Sequence, residues 1–378
     1  MRIAVNTRFL MEGKLEGLGW FTYQTLKHWV EWHPEHEFIF IFDRPFSEEF
    51  IFGKNVTGVV AFPPARHPIL FYWWYEWSIP RILRQQQADV FVSPDGFLSL
   101  STSVPTLMVL HDIAWKHFED HVNFSTYHYY NHYVPKFIEA AGRIATVSQY
   151  SKQDMVTTFG ADPSKIDVVY NGSHEQYQPL SEEAISQVRA QYSEGQPYFL
   201  YVGSIHPRKN VERLLQAFNQ FKKATQSPAK MLIVGRKMGK GSPIEQLLPT
   251  LEHAQDIIFL GYLSTDELPQ VVGAAYALTY VSLFEGFGIP LLEALYCDVP
   301  SITANNSSMP EVVGEAGLLA EATSVDSIAA QLQQLWENPT LRQELIQKGQ
   351  SQRQLFSWEQ TAQKLWQSLE RLLEQSNS

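Results

Sequence analysis

The sequence predicts an α/β protein of two doubly wound domains, each a parallel sheet with helices on both faces. Three observations lead to this prediction. Short apolar runs typical of buried strands alternate with amphipathic helical segments along most of the chain. The alternation stops in a polar stretch at residues 175–196 and then starts again. Finally, 378 residues exceed what a single hydrophobic core usually holds.

The first domain is predicted for residues 1–174 and begins with a strand at Arg2–Val5. Gly17-Leu-Gly19 is expected to form a flexible loop before a helix from about Trp20 to Trp32. Six further apolar runs are predicted strands, at residues 38–42, 59–62, 88–93, 106–110, 143–147 and 166–169. Helices are predicted between them, including residues 127–141 and 149–159.

The second domain is predicted for residues 197–356, after an interdomain connection at 175–196 that contains a short helix near Glu182–Tyr192. Its strand candidates are residues 198–202, 231–234, 257–260, 277–281, 299–303 and 317–320. From Trp358 onward, apolar residues recur on one face of a predicted helix. In doubly wound sheets, ligands bind at the carboxyl ends of the strands, so strand ends are where site residues are sought.

Composition excludes several classes of function. The net charge of -11 argues against nucleic acid as a partner and provides no general attraction to an anionic membrane. The one cysteine, Cys297, excludes an intrachain disulfide framework and fits a reducing compartment. The apolar start of the chain is too short for a signal-peptide core, and no apolar run approaches the roughly 20 residues of a membrane helix. These observations predict a cytoplasmic protein.

The most informative motif follows the apolar run 275–281 and extends from Glu285 to Glu293. Glycines bracket a tight loop, and Pro290 then opens a helical pattern, so the motif predicts a strand, a loop and a helix N-terminus. Free amides and the helix dipole favour an anion there, and Gly288 permits close approach of a ligand. We expect Glu293 in the first helical turn, with both carboxylates facing one cleft, as a ligand with phosphate and hydroxyl groups requires. For either glutamate alone, a solvated loop position or a helix-dipole contact is the simpler interpretation.

Glu285-x7-Glu293, with its internal Gly-Phe-Gly, resembles the signature of the family-4 retaining glycosyltransferases. The resemblance, which extends over nearly the whole chain, implies the GT-B fold, two Rossmann-like domains facing each other across a cleft. It also implies that the last helix, residues 357–375, returns to the N-terminal domain. The implied reaction transfers a hexosyl unit from a nucleoside-diphosphate sugar by a front-face route that needs neither a protein nucleophile nor a metal. The chain contains no Asp-x-Asp motif, so no metal-clamping motif is evident.

Other motifs agree with this resemblance. Arg208 and Lys209 follow Gly203 at a strand end; alone they could be solvated cations, and the resemblance implies that they hold the donor diphosphate. The resemblance further implies that His111 lies near the donor sugar. We therefore predict as catalytic residues Glu285, Arg208, Lys209 and His111. The predicted substrate-binding residues are Gly17, Gly19, Gly203, Gly235, Tyr262, Leu263, Phe287, Gly288 and Glu293.

Several alternatives stay open at this point. The sequence names neither base nor sugar: GDP-mannose is the family-level expectation, with UDP-glucose second, and the acceptor is expected to be a glycan or lipid-linked. A nucleotide-sugar epimerase or a non-catalytic binding subunit are the alternative functions. Aromatic residues 71–77 predict a helix packed on a sheet, with peripheral contact at the inner face of the membrane as the alternative. Ser308-Met-Pro-Glu311 predicts a helix capping box.

Overall fold

The computed structural model describes residues 1–65, 68–235 and 242–376, and it divides the chain into two compact units. The first unit comprises Met1–Gly172 together with Ser357–Ser378, and the second comprises Ser173–Phe356. Residues 175–196, for which a connection is expected, thus lie in the second unit, where the side chain of Arg189 donates to the carbonyl of Ala274. Each unit is built on a parallel sheet, as the alternation of strands and helices predicts.

The first unit contains a seven-stranded parallel sheet in the order β3-β2-β1-β4-β5-β6-β7. Its strands are β1 Arg2–Asn6, β2 Glu37–Phe42, β3 Val56–Val60, β4 Val90–Ser93, β5 Thr106–Val109, β6 Arg143–Thr146 and β7 Ile166–Val168. The accompanying helices are α1 Gly17–Trp32, α2 Pro68–Trp73, α3 Ile79–Gln85, α4 Ala114–His117, α5 Phe124–Ala140 and α6 Gln149–Phe159. A π-helical turn, Trp74–Ser78, joins α2 to α3, and it buries Trp74 and Tyr75 in the core.

The second unit contains a six-stranded parallel sheet in the order β10-β9-β8-β11-β12-β13. Its strands are β8 Tyr198–Val202, β9 Lys230–Val234, β10 Ile257–Gly261, β11 Ala277–Tyr280, β12 Ser301–Ala304 and β13 Gly317–Ala320. The helices are α7 Glu182–Tyr192, α8 Val211–Thr225, α9 Pro243–Leu247, α10 Glu267–Gly273, α11 Ile289–Tyr296, α12 Met309–Val313, α13 Val325–Glu337 and α14 Pro339–Gln352. Because β8 lies beside β11, the loops that follow these two strands meet at one edge of the sheet.

The last helix, α15 (Trp358–Ser376), packs within the first unit. The indole nitrogen of Trp29 in α1 donates to the carbonyl of Ala362 at 2.8 Å, and the rings of Trp29 and Trp366 meet edge to face. The hydroxyl of Thr361 also donates to the carbonyl of Tyr170. These contacts bury the apolar face that the sequence pattern indicates.

Two local predictions in the first unit are wrong. Gly17 and Gly19 do not form a flexible loop, because α1 already begins at Gly17 and both glycines lie in its first turn. A Cβ on Gly19 would stand 2.9 Å from the carbonyl oxygen of Phe9, so the glycine allows the preceding chain to pack closely on the helix. The third strand occupies Val56–Val60 rather than residues 59–62, and Phe62 beyond it is exposed. As an edge strand, β3 is only partly buried and lacks a continuous apolar run.

In the part of the chain that the structure describes, no helix has both the length and the apolar character needed to cross a membrane.

Candidate active site

The predicted cations lie in the loop that joins β8 to α8. Pro207–Lys209 form a single 3₁₀ turn, and the ring of His206 accepts a hydrogen bond from the Arg208 amide. Asn210 then adopts a left-handed conformation with a φ of 60°, which allows α8 to begin at the next residue. This sharp reversal presents Arg208 and Lys209 at the carboxyl edge of the sheet.

Asn210 also ties this loop to the neighbouring strand. Its buried amide nitrogen donates to the carbonyl of Val281 at 2.9 Å and to that of Ala322 at 2.7 Å. The amide of Leu283 in turn donates to the carbonyl of Arg208 at 2.8 Å. The Asn210 side chain and the backbone bond between Leu283 and Arg208 thus hold the loop after β8 against the loop after β11, which joins the two predicted parts of the site.

Glu285 is the centre of the cluster that results. Its side chain is buried, and Lys209 Nζ lies 2.6 Å from one carboxylate oxygen while Arg208 Nη1 lies 3.3 Å from the other. Lys209 also donates to the hydroxyl of Tyr280 at 2.7 Å, and Arg208 donates to the carbonyl of Phe284. Two cations therefore surround one carboxylate, so the cluster carries a net charge of +1.

The electrostatics of the cluster keep Glu285 ionised. Burial alone would raise the pKa of Glu285, but the charges of Lys209 and Arg208 outweigh it and hold this pKa below its ordinary value. Burial, together with the neighbouring Glu285, raises the pKa of the Tyr280 phenol well above its usual range. The phenol therefore stays neutral and can accept from Lys209. A net positive cluster at a sheet edge favours an anionic ligand.

Ser307 and Ser308 fix the loop that carries Glu285. The Ser307 hydroxyl accepts from the Glu285 amide at 3.1 Å. The Ser308 hydroxyl is buried and lies 2.9 Å from the carbonyl oxygens of both Glu285 and Phe287. The predicted capping box at Ser308 is therefore wrong, since α12 has no side-chain cap and the hydroxyl serves the loop instead.

The glycine loop and α11 follow the predicted order, with one correction. Gly288 has a φ of 98°, which favours glycine, and Pro290 lies in the first turn of the helix. Phe287 is buried and packs edge to face on Phe356. Glu293, however, is not in the first turn, which contains no acidic residue; it is the fifth residue of α11. Because the loop ends in a tight left-handed residue, the helix begins at Ile289 and places Glu293 in its second turn.

Glu293 has surroundings unlike those of Glu285. It is partly buried, and its carboxylate accepts a hydrogen bond from Tyr177. Burial raises the pKa of Glu293 to about 7, against the smaller opposing effect of that hydrogen bond. The structure thus gives the two motif glutamates different charge states near neutral pH: Glu285 is ionised among cations, and Glu293 is poised between its two forms.

The residues predicted to bind the donor at the ends of β8, β9 and β10 lie in adjacent loops of the same sheet. The Gly203 amide donates to the carbonyl of Val234 at 2.9 Å, and the Gly235 amide donates to that of Gly261 at 2.8 Å. A Cβ on Gly235 would stand 1.9 Å from the carbonyl oxygen of Gly203, so this backbone contact requires glycine. Beyond β10, Leu263 is buried, whereas Tyr262 is 85% exposed.

His111, Gly17 and Gly19, which are also predicted site residues, lie in the first unit. His111 Nε2 lies 3.1 Å from the carbonyl oxygen of Pro94, and its ring meets Phe21 edge to face. Burial lowers the pKa of His111 to about 4, so the ring is neutral at pH 7. It lines a cavity of about 290 Å³. Leu18 lines this cavity too, whereas its neighbours Gly17 and Gly19 do not; other lining residues include Asp95, Asp112, Trp115 and Tyr130.

The sequence did not reveal a buried polar network beneath this cavity. Asp95 forms an ion pair with Arg8, and its Oδ2 also accepts from the Asn6 amide and from the Tyr75 hydroxyl, each at 2.7 Å. Arg8 and Asp95 are both almost completely buried. Only the positions of two residues in the sequence could have indicated this network. Asn6 ends β1, and Asp95 lies just beyond β4, which is the strand next to β1 in the sheet. The network makes the floor of the cavity polar and rigid.

Known glycosyltransferases resemble this chain in sequence and in fold. Residues 183–352 match the family model of glycosyl transferases group 1, and residues 15–176 match that of glycosyltransferase family 4. The chain is 33% identical over 223 residues to O-antigen chain mannosyltransferase B of Escherichia coli, covering 59% of this chain and 58% of that protein. It therefore spans little more than half the length of that relative. It is 26% identical over 268 residues to O-antigen chain mannosyltransferase RfbU of Salmonella typhimurium, covering 70% of each.

Among solved structures, HepE of Anabaena, determined in complex with UDP-glucose, superposes with a TM-score of 0.75. The superposition covers 98% of this chain and all of HepE at 17% sequence identity, and at that identity it shows the fold alone. The two parallel sheets and this likeness identify the fold as GT-B. Two glycosyltransferase family models thus match consecutive segments of the chain, and these segments together account for most of its sequence.

Proposed function

We propose that this protein is a retaining glycosyltransferase that moves a hexosyl unit from a nucleoside-diphosphate sugar to an acceptor hydroxyl of a glycan. The observation that carries the proposal is the cluster in which Arg208 and Lys209 surround the buried Glu285. Its net positive charge suits a diphosphate, and its carboxylate suits sugar hydroxyls. The mannosyltransferase names of the relatives support mannose as the transferred sugar, and HepE, solved with UDP-glucose, keeps UDP-glucose as the alternative donor.

In this proposal, Arg208 and Lys209 stabilise the charge that develops on the diphosphate as the glycosidic bond breaks. Glu285 orients the donor sugar through its hydroxyls, and Glu293 binds the ribose. No protein nucleophile is required, because catalysis relies on orientation and on leaving-group stabilisation. The reaction is proposed to need no metal, since the two cations supply the positive charge that a metal would otherwise provide.

We assign the cavity beside His111 to a sugar ring. Trp115 and Tyr130 provide aromatic faces for the apolar side of a sugar, and their ring centroids lie 5.6 Å apart. Asp112 and the neutral His111 provide polar groups for its hydroxyls. A glycan acceptor is the substrate that this lining suits.

Peripheral contact with a membrane, through which a lipid-linked acceptor would be reached, is a further part of the proposal. Trp73 and Trp77 are 47% and 62% exposed, and their rings lie 5.2 Å apart. Phe62 is 82% exposed, and its carbonyl accepts from Ser78 next to Trp77. The exposed Arg81 lies one helical turn further on. Tryptophan favours the membrane interface, and arginine favours anionic headgroups.

The membrane proposal is tested by sedimentation with vesicles that contain anionic lipid. Changing Trp73 and Trp77 to serine should reduce the bound fraction several-fold. Phe124, which is 80% exposed on α5, provides the control, and its change to serine should have no effect. Equal binding by the tryptophan variant and the unchanged protein would contradict the membrane contact and leave the transfer reaction unaffected.

The test of the transfer reaction is a thermal-shift screen of nucleotide sugars, followed by incubation of the best donor with an oligosaccharide acceptor. A donor that binds only the folded state raises the melting temperature. Mass spectrometry should then detect an acceptor that has gained one hexose, and NMR of the product should show the anomeric configuration of the donor. Interconversion of the donor without an acceptor would identify an epimerase instead, and tight binding without any turnover would identify a binding subunit.

A further inference from the structure

The turn between α1 and β2 brings together two histidines and a glutamate that play no part in the proposed transfer. The His36 amide donates to the carbonyl of His33 at 3.1 Å, which closes a four-residue β-turn from His33 to His36. Pro34 occupies the second position, where its fixed φ favours such a turn. The first and fourth residues of a β-turn lie close together, so the geometry of the turn places both imidazoles on one small surface.

The turn is held in place by the rest of the first unit. The Asn55 side-chain amide donates to the carbonyl of His36 at 3.2 Å and to that of His33 at 3.3 Å. The ring of Trp366 stacks on the ring of His33, with centroids 3.5 Å apart and planes 9° apart. The side chains of His33 and His36 are 22% and 16% exposed, whereas that of Glu35 is 58% exposed. The two imidazoles are therefore fixed in advance, and the carboxylate can adjust.

The distances within this group match those of a metal site. Glu35 Oε1 lies 3.4 Å from His33 Nδ1 and 3.4 Å from His36 Nε2. One ligand atom from each residue lies within 4.8 Å of those of the other two. Ligand bonds of about 2.0–2.2 Å in a tetrahedral zinc site imply about 3.3–3.5 Å between ligand atoms. Two of the three edges already have this length, and the third, between the two imidazoles, is no longer than 4.8 Å.

We propose that His33, Glu35 and His36 form a binding site for a divalent transition-metal ion of the zinc class. Two imidazoles and one carboxylate are a ligand set that zinc uses, with water in the fourth position. Partial exposure of Glu35 gives the ion a route from solvent. Binding of the ion should stabilise the first unit, because the three ligands come together only in the folded turn that Trp366 and Asn55 hold in place.

The second nitrogen of His36 is compatible with this role. Nδ1 faces the Met1 amino group at 3.4 Å. When Nε2 binds a metal, the ring proton resides on Nδ1, so the ammonium group must turn toward water. Met1 is 42% exposed, and this movement therefore costs little.

The test is calorimetric titration of the full chain with zinc chloride. The unchanged protein should bind one zinc ion tightly, and its melting temperature should rise with zinc. H33A/H36A should weaken zinc binding at least a hundredfold, and Glu35→Gln should weaken it about tenfold. The matched control is H128A/H132A, which removes two exposed histidines one turn apart on α5, where Lys136 Nζ lies 2.7 Å from His132 Nε2. The control should bind zinc as the unchanged protein does.

Three results would overturn the proposal: unchanged zinc affinity in H33A/H36A, loss of binding in the control instead, or binding only at millimolar zinc. The melting temperature of each variant without zinc checks that it folds. Should H33A/H36A not fold, Glu35→Gln carries the test, since its side chain is mostly exposed. Unchanged zinc affinity in Glu35→Gln would then refute the site.

Discussion

The raised pKa of Glu293 makes a prediction about stability that can be worked out from the structure. The carboxyl ordinarily titrates at 4.5, but burial in the second unit raises its pKa to about 7. Between these two pH values, the folded state keeps the proton and the unfolded state loses it. The contribution of Glu293 to stability is therefore greatest below pH 4.5 and falls as the pH rises toward 7, because at this carboxyl the folded state binds more protons than the unfolded state.

The size of the effect follows from the difference between the two pKa values. At about 1.4 kcal/mol per pKa unit, the change from 4.5 to about 7 corresponds to about 3 kcal/mol of lost stability above pH 7. Glu293→Gln removes the ionisation, keeps the shape and can still accept the hydrogen bond from Tyr177. The variant should resemble the unchanged protein at pH 5 and exceed its free energy of unfolding by about 3 kcal/mol at pH 8.

The assay is urea unfolding at pH 5 and pH 8. Unfolding is monitored by hydrogen exchange in peptides from β8 and α11, so that the stability of the second unit is measured by itself. Glu344→Gln, at an exposed position of α14, is the matched control and should change stability by less than about 0.5 kcal/mol at both pH values. A Glu293→Gln variant that gains the same stability at pH 5 and pH 8, or none at either, would refute the reasoning, since Glu293 would then be ionised in the folded protein.

Three further predictions concern the proposed reaction. Changing Arg208 and Lys209 to alanine should weaken nucleoside-diphosphate binding by about 3 kcal/mol, because two charge-assisted hydrogen bonds are lost. Calorimetry measures this affinity, and an unchanged value would show that the two cations do not bind the diphosphate. Transfer should survive exhaustive EDTA treatment, and activity that disappears and returns only with magnesium or manganese would contradict the metal-free proposal. Glu285→Ala should retain or strengthen nucleoside-diphosphate binding, because it removes the negative charge between two cations, but it should abolish most transfer. Glu293→Ala should instead weaken binding of the nucleoside diphosphate itself. Equal loss of affinity in both variants would refute this division of roles.

Much of the fold could be predicted from local patterns. The bounds of β8 and β13, and those of α6 and α7, are the predicted ones. A central parallel strand is buried on both faces, so it reads as a continuous apolar run with polar residues at each end. The edge strand β3 lacks such a run and was misplaced. Gly17 and Gly19 suggested a loop because glycine usually marks one, whereas tight packing against Phe9 is the reason for Gly19 here.

The sequence by itself determined the elements of the candidate site, since Glu285, Arg208 and Lys209 each stand in a recognisable strand–loop–helix pattern. Only the tertiary structure decided how they interact. Glu285 is 76 residues from Lys209, and their contact depends on β8 lying beside β11 in the sheet.

The same limit applies to Ser308 and to the glutamates. Local spacing predicted a helix cap at Ser308, but its hydroxyl lies against carbonyls more than 20 residues away. Likewise, the spacing Glu285-x7-Glu293 by itself does not distinguish the charge states of the two carboxylates. In the structure these states differ, because Glu285 is buried beside two cations and Glu293 is buried beside Tyr177. A local pattern encodes backbone conformation and periodicity. Charge state and hydrogen-bond partners depend on which distant groups the fold brings within a few ångströms and on how much water it removes.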